Sequence, residues 1–150
     1  NPTQPAPPVA QGIPTYFTGM IYGGVGFAIL EDRKFKTGSS NPPSDPNQQF
    51  LLGTRQKNFL RTWAEDWDDQ ELKCVVSQSP FGNIRTHAGS GYGFNLNDRD
   101  TNGWPTHRRN EAWELLRLSR MFQIAGDQHL STFVQHGINR AGSVQRNSKK

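Results

Sequence analysis

Cysteine is all but missing from this chain: Cys74 stands alone among 150 residues, so no disulfide can close within it and cysteine usage says nothing of redox compartment. The single thiol lies in the apolar run of residues 72–76, where a buried, inert sulfur is expected rather than a nucleophile. Long hydrophobic runs are lacking as well. Only 33% of the residues are hydrophobic, and no stretch approaches a membrane span of roughly 18 apolar residues. No charged-then-apolar leader opens the sequence either, so a soluble chain outside the membrane is expected. Charge of one sign is in small surplus, a net +4 contributed partly by residues 140–150. No cluster of Lys and Arg interleaves with aromatics along one element, which argues against nucleic acid; an anionic small substrate fits the charge equally well. Internal repeats are absent.

What is present in quantity is loop-forming sequence. Fifteen glycines and ten prolines in a chain long enough for one domain predict extended loops, where chemistry usually sits. Residues 1–15 form a Pro-rich lead-in, residues 16–138 a single domain, and residues 139–150 a basic polar tail that should fray. Residues 16–30 read as strand, with a glycine pair at Gly23 and Gly24 and a nearly unbroken apolar run from Val25 to Leu30. Such runs belong to central strands covered on both faces. The run stops at Glu31-Asp32-Arg33-Lys34, and charges at the carboxyl end of a buried strand are where open α/β sheets carry ligands.

Residues 55–67 predict an amphipathic helix with Thr54 as N-cap and Phe59, Leu60, Trp63 and Trp67 along a core-facing stripe. Asp66, Asp68, Asp69 and Glu71 at its exit form a solvated acidic turn. Residues 72–78 are the second clear strand, delivering Ser77 and Gln78 to its end. The Gly/Asn/Asp-rich stretch that follows is longer than a compact domain tolerates unless it borders a site. Within it, Asp98, Asp100 and Asn102 begin like a calcium loop. Arg109 stands where the twelfth-position glutamate belongs and Pro105 interrupts, so turns are expected there instead. Thr106 can cap a helix over residues 107–120, which feeds a strand at residues 121–125 and a further short strand at 132–135. Strand, helix, strand, helix, strand predicts an α/β layered fold with a mostly parallel or mixed sheet.

The last core strand ends in Gly126-Asp127-Gln128-His129. A glycine lets the backbone turn tightly, and Asp and His two residues apart offer a charged oxygen and a neutral nitrogen, donors suited to a hard or borderline cation. The remaining histidines, His87, His107 and His136, match no ligand spacing and read as surface or loop residues.

Taken in order, three segments resemble the PhoD-like branch of the metallophosphatases, the alkaline phosphatase D family. The first is Phe27-Ala28-Ile29-Leu30-Glu31-Asp32-Arg33, similar to that family's apolar strand ending in Asp-x-Arg or Asp-Arg. The second is Leu52-Gly53-Thr54-Arg55-Gln56-Lys57-Asn58-Phe59-Leu60, similar to Leu-Gly-x-x-Gln-x-x-Trp-Leu, followed by Val75-Val76-Ser77-Gln78-Ser79-Pro80-Phe81. The third joins Asp100-Thr101-Asn102-Gly103-Trp104-Pro105 to Ile124-Ala125-Gly126-Asp127-Gln128-His129, which resemble Asp-x-x-Gly-Tyr-Pro and Ser-Gly-Asp-x-His. The resemblance implies part of a four-layer αββα sandwich with mixed sheets. It also implies metal-dependent hydrolysis of phosphate mono- or diesters, with calcium and iron as the metals. By position, Asp127 and His129 would bind or orient the metal, Arg33 would face the phosphate, Gln78 would lie near it, and Trp104 would wall the cleft. Relatives are periplasmic or extracellular. The family's first half, with its further ligands, has no counterpart in this sequence. Activity is therefore expected only as part of a longer chain, with the rest of that chain or a homo-oligomer mate as partner; the alternative is a non-catalytic remnant that binds an anion or a partner.

Overall fold

The computed structural model describes residues 16–82, 103–126, 133, 135–138 and 144–147. Strands β1 (Thr18–Tyr22) and β2 (Val25–Ile29) form an antiparallel hairpin. Gly23 and Gly24 make its turn at φ of 57° and 76°, left-handed conformations that cost glycine little. The stretch read as one strand is thus two, folded at the glycine pair. Helix α1 (Thr54–Glu65), strand β3 (Leu72–Ser77), helix α2 (Thr106–Leu116) and strand β4 (Phe122–Ala125) follow.

The sheet runs in the order β1-β2-β3-β4, with β2, β3 and β4 parallel and β1 antiparallel, as the alternation of helices and strands predicts. Two crossovers that step in the same direction across a parallel sheet lay their helices on the same face. In agreement, α1 packs against α2. The core lies between these helices and the sheet: Ala28 and Val75 from the strands, Leu60, Trp63 and Ala64 from α1, Ala112 and Leu116 from α2, with Leu30, Leu51, Leu52 and Phe81 closing it.

The other face follows from register. Met20 pairs with Phe27, Phe27 with Cys74 and Cys74 with Phe122; Ile29 pairs with Val76 and Val76 with Ile124. Paired residues point the same way, so one side of the sheet is lined by apolar side chains that neither helix covers. Met20, Ile29, Phe122 and Ile124 are exposed there. The expectation that β2 is covered on both faces is therefore not met among the described residues. Nor is β4 buried: among the described residues it lies at the sheet edge, with three of its four residues exposed.

Cap positions also differ from expectation. Gly53 and Pro105, rather than Thr54 and Thr106, occupy the N-caps of α1 and α2, and neither gives a side-chain cap bond. Helix α2 ends at Leu116 and tightens into a 3-10 turn (Arg117–Ser119), with Arg120 left-handed at φ 47°. Trp67 lies beyond α1, which stops at Glu65. The acidic turn is as expected, exposed and closed by Asp66 Oδ1 accepting from the Asp68 amide at 3.0 Å. Cys74 is fully buried, and burial pushes its thiol upward. Strands β5 (Gln135–Ile138) and β6 (Val144–Asn147) form a separate antiparallel ladder. They place a strand three residues later than residues 132–135 and another within the stretch read as a fraying tail.

Candidate functional site

The carboxyl ends of β2, β3 and β4 lie side by side because the three strands are parallel. The Leu30 amide continues the β2–β3 ladder by donating to Val76 O at 2.8 Å, and the Gly126 amide continues β3–β4 by donating to Ser77 O at 3.4 Å. A Cβ built on Gly126 would come 3.9 Å from Gln78 O, so the β4 exit runs close past the β3 exit. One edge of the sheet therefore gathers Glu31, Asp32 and Arg33, then Gln78 and Ser79, and then the glycine from which Asp127 departs.

Glu31 is the hub of this edge. Its backbone is held by Gln56 of α1 in two buried hydrogen bonds: the Glu31 amide donates to Gln56 Oε1 at 2.8 Å, and Gln56 Nε2 donates to Glu31 O at 2.7 Å. The glutamine thus takes the place of one more ladder residue where β2 has run out of neighbours. Its fully buried amide would otherwise carry a desolvation cost. The Glu31 side chain turns onto the chain ahead, with Oε1 accepting from the amides of Arg33 at 3.0 Å and Lys34 at 3.1 Å. With its amide oriented to face the two carboxyls, Gln78 donates to Glu31 Oε1 at 3.0 Å and to Asp32 Oδ1 at 3.3 Å.

Asp32 has no exposed surface, and its Oδ2 accepts from the Ser79 amide at 3.0 Å, tying the end of β2 to that of β3. Burial pushes its carboxyl above the ordinary aspartate value, while the Ser79 amide and the charge of Lys36 pull part of the way back. Beyond it, Arg33 and Lys34 are exposed. The Lys36 amide donates to Arg33 O at 3.2 Å and closes a turn. Thr37 anchors that turn: its amide donates to Phe50 O at 2.8 Å, its hydroxyl accepts from the Phe50 amide at 2.7 Å, and its carbonyl accepts from Trp104 Nε1 at 2.9 Å. Trp104, half-buried, therefore flanks the turn that carries Arg33.

Of the four residues that sequence reasoning assigned to a site, Arg33 and Gln78 share this edge through Glu31. Asp127 and His129 lie outside the described residues, as do His87, Asp98, Asp100 and Asn102. Among the described residues, no three of His, Cys, Asp and Glu gather as a metal centre. Glu31 already accepts backbone and amide donors, and Asp32 is buried beneath them, so the described residues alone do not fit a bound metal. Sequence reasoning missed Gln56 and passed over Glu31 and Asp32 in favour of the guanidinium. A signal for Gln56 existed. It stands four and seven residues before Leu60 and Trp63, an amide on the core-facing stripe of α1.

Compared by sequence, the chain matches no protein-family model and no curated protein. By structure, it is similar to a solved structure described as "Structure of PhoD", with a TM-score of 0.57 and 20% identity over 79% of this chain and 24% of that one. The chain spans about a quarter of the length of that protein. At this identity the likeness shows the fold: a mixed α/β sheet with two helices, as found in part of PhoD. No helix among the described residues is long and apolar enough to cross a membrane.

Proposed function

We propose that this chain is the part of a metal-dependent phosphoesterase that carries Arg33, Gln78, Asp127 and His129, and that hydrolysis of phosphate mono- or diesters belongs to the longer protein. The observation that carries the reading is the common edge at the ends of β2, β3 and β4, in a fold shared with part of PhoD. Arg33 departs from one strand end, Gln78 stands at the next, and Asp127 follows Gly126 at the third. Arg33 is the phosphate-facing cation, since a planar guanidinium fork matches two phosphoryl oxygens at once. Gln78 holds the carboxyls of Glu31 and Asp32 together and so keeps the strand ends in register beneath the phosphate. Asp127 and His129 hold the metal, calcium or iron by family resemblance, with the remaining donors supplied by the rest of the longer chain. A metal so held neutralises phosphoryl charge and makes hydroxide available near neutral pH.

In this reading the sheet is one of two in a four-layer sandwich, and the bare apolar face meets the second sheet. Secretion fits the likeness to PhoD. The test is an assay of the longer protein on phosphate mono- and diesters with calcium and iron added. Asp127→Asn and His129→Ala should abolish turnover, and Arg33→Ala should lower kcat about 10²–10³-fold, the scale of losing one preorganised electrostatic donor. Unchanged activity in the first two variants removes the metal assignment. A longer protein that binds phosphate but hydrolyses nothing leaves the anion-binding remnant as its function.

A further inference from the structure

The turn after β2 is more heavily fixed than a surface loop with three basic residues requires. Its first two amides, of Arg33 and Lys34, are both gripped by Glu31 Oε1 at 3.0 and 3.1 Å. The 3.2 Å bond from the Lys36 amide to Arg33 O brings Arg33 and Lys36 to the two ends of one closed turn, where Cα atoms stand within roughly 7 Å. Between them Phe35 packs its ring on Gly53, where even a built Cβ would meet it at 2.9 Å. Thr37, just beyond, is bonded to Phe50 and Trp104. The Lys36 charge also acts on the buried Asp32 carboxyl, holding back part of the rise that burial causes. Glu31, 8% exposed and two residues before Arg33, gives one oxygen to the backbone amides of Arg33 and Lys34, and that sets the shape of the turn.

We propose that residues 33–36 form a preorganised turn that binds a phosphoryl dianion between Arg33 and Lys36, with Glu31 as the positioning residue that holds the turn in its binding form. The inference deepens the proposed function by adding Lys36 and Glu31 to the phosphate site, and it rests on that reading for the identity of the anion. The two cations suit a group with two or three charged oxygens, the guanidinium fork taking two and the ammonium another. Glu31 touches no anion itself. It acts by removing the conformational freedom the turn would otherwise lose on binding.

Titration of the 150-residue chain with inorganic phosphate, read by calorimetry and by the amide resonances of Arg33 and Lys34, tests this. Arg33→Ala and Lys36→Ala should each weaken binding on the order of tenfold, as expected for losing a charge-assisted hydrogen bond. Glu31→Ala should weaken it by a similar factor and speed amide exchange at Arg33 and Lys34. Glu31→Gln retains an acceptor oxygen and should stay within about threefold of wild type, which separates positioning from misfolding. In an Arg33→Ala, Lys36→Ala background, Glu31→Ala should have no further effect on the remaining binding, because it acts only through those two cations. No binding by the wild type, equal binding by wild type and Glu31→Ala, or additive losses would each overturn the turn's role. None of these results bears on turnover by the longer protein, which the Asp127 and His129 variants decide separately.

Discussion

Replacing Lys73 would test whether the fold depends on a cation enclosed beneath its own sheet. Lys73 has no exposed surface. Its ammonium donates to the carbonyls of Trp63 and Asp66 and to Gln70 Oε1, and stands 4.5 Å from the centre of the Trp63 ring and 4.8 Å from that of Trp67. Trp63 lies in the last turn of α1 and Asp66 is its C-cap, so the ammonium satisfies carbonyls that helix geometry leaves unpaired and lies at the negative end of the macrodipole. Lys73→Ala strands the buried Trp63 carbonyl at about 1–3 kcal/mol, while the Asp66 carbonyl keeps the Gln70 Nε2 donor at 3.0 Å. It also forfeits two ring contacts of about 0.5–2 kcal/mol each. Relief of the ammonium's desolvation offsets part, leaving a net loss of about 2–4 kcal/mol. Lys73→Met keeps the packing of the stem and should lose about 2–3 kcal/mol.

The same lysine gives a pH signature. Burial pushes its amine below the ordinary value of 10.5, against a smaller upward pull from Asp66. Between that depressed folded value and 10.5 the unfolded chain binds more protons than the folded one. Wild-type stability should therefore rise with pH across that window relative to Lys73→Met. Urea denaturation of both proteins at neutral pH and near pH 10 measures both effects, with a constant m-value as the check on two-state unfolding. A Met variant within about 0.5 kcal/mol of wild type would refute the capping role, since a surface substitution changes stability no more than that. A wild-type advantage that narrows as pH rises would show that the cage favours the cation, against the direction argued here.

Gly103→Ala should lower the melting temperature through a loss of about 2 kcal/mol or more: the residue sits at φ 67°, a left-handed conformation, and an added Cβ would stand 2.6 Å from the Phe81 carbonyl oxygen. An unchanged melting curve would contradict that backbone conformation. Asp32→Asn should gain on wild type as pH rises above 3.8, because the folded state holds its proton longer than the unfolded one and wild-type stability falls through that window. A wild type that gains on the Asn variant across the same range refutes the assignment. Ile124→Lys, on the bare sheet face, should shift the isolated chain toward monomer in sedimentation velocity; identical profiles would mean that the face takes no part in association.

The mixed parallel sheet was legible because its signals are local and redundant. Apolar runs at Val25 and Leu72, each followed by a helix, leave few ways to order three parallel strands. The hairpin was less legible. Gly23-Gly24 sits inside an apolar stretch that reads as one strand, and only its positive φ values mark the fold-back. Cap identity failed for a physical reason: Gly53 is packed under the Phe35 ring, and the helix starts where that contact places it rather than where a hydroxyl could bond. The open face of the sheet was not legible, since the unbroken run from Val25 to Leu30 reads as a strand covered on both faces. Composition does not tell an apolar strand residue that meets a helix from one that neither described helix covers.

Within the site, the reading followed chemical reactivity and so settled on Arg33. What organises the edge, and at the other end of β3 the exit of α1, is polar groups at inward positions. Gln56 on the core stripe of α1, Lys73 alternating with Val75 on β3, and Asp32 at the end of β2 are each buried, and each would be costly there without a specific partner. Every one of them has such a partner: the Glu31 backbone, the exit of α1, the Ser79 amide. A polar residue in an apolar register is thus a stronger pointer than a reactive one in a loop, because folding tolerates it only where the partner is already fixed. By that argument Glu31 ranks above Arg33 as a marker of this edge. Loss of the carboxylate frees two backbone amides of the turn at once.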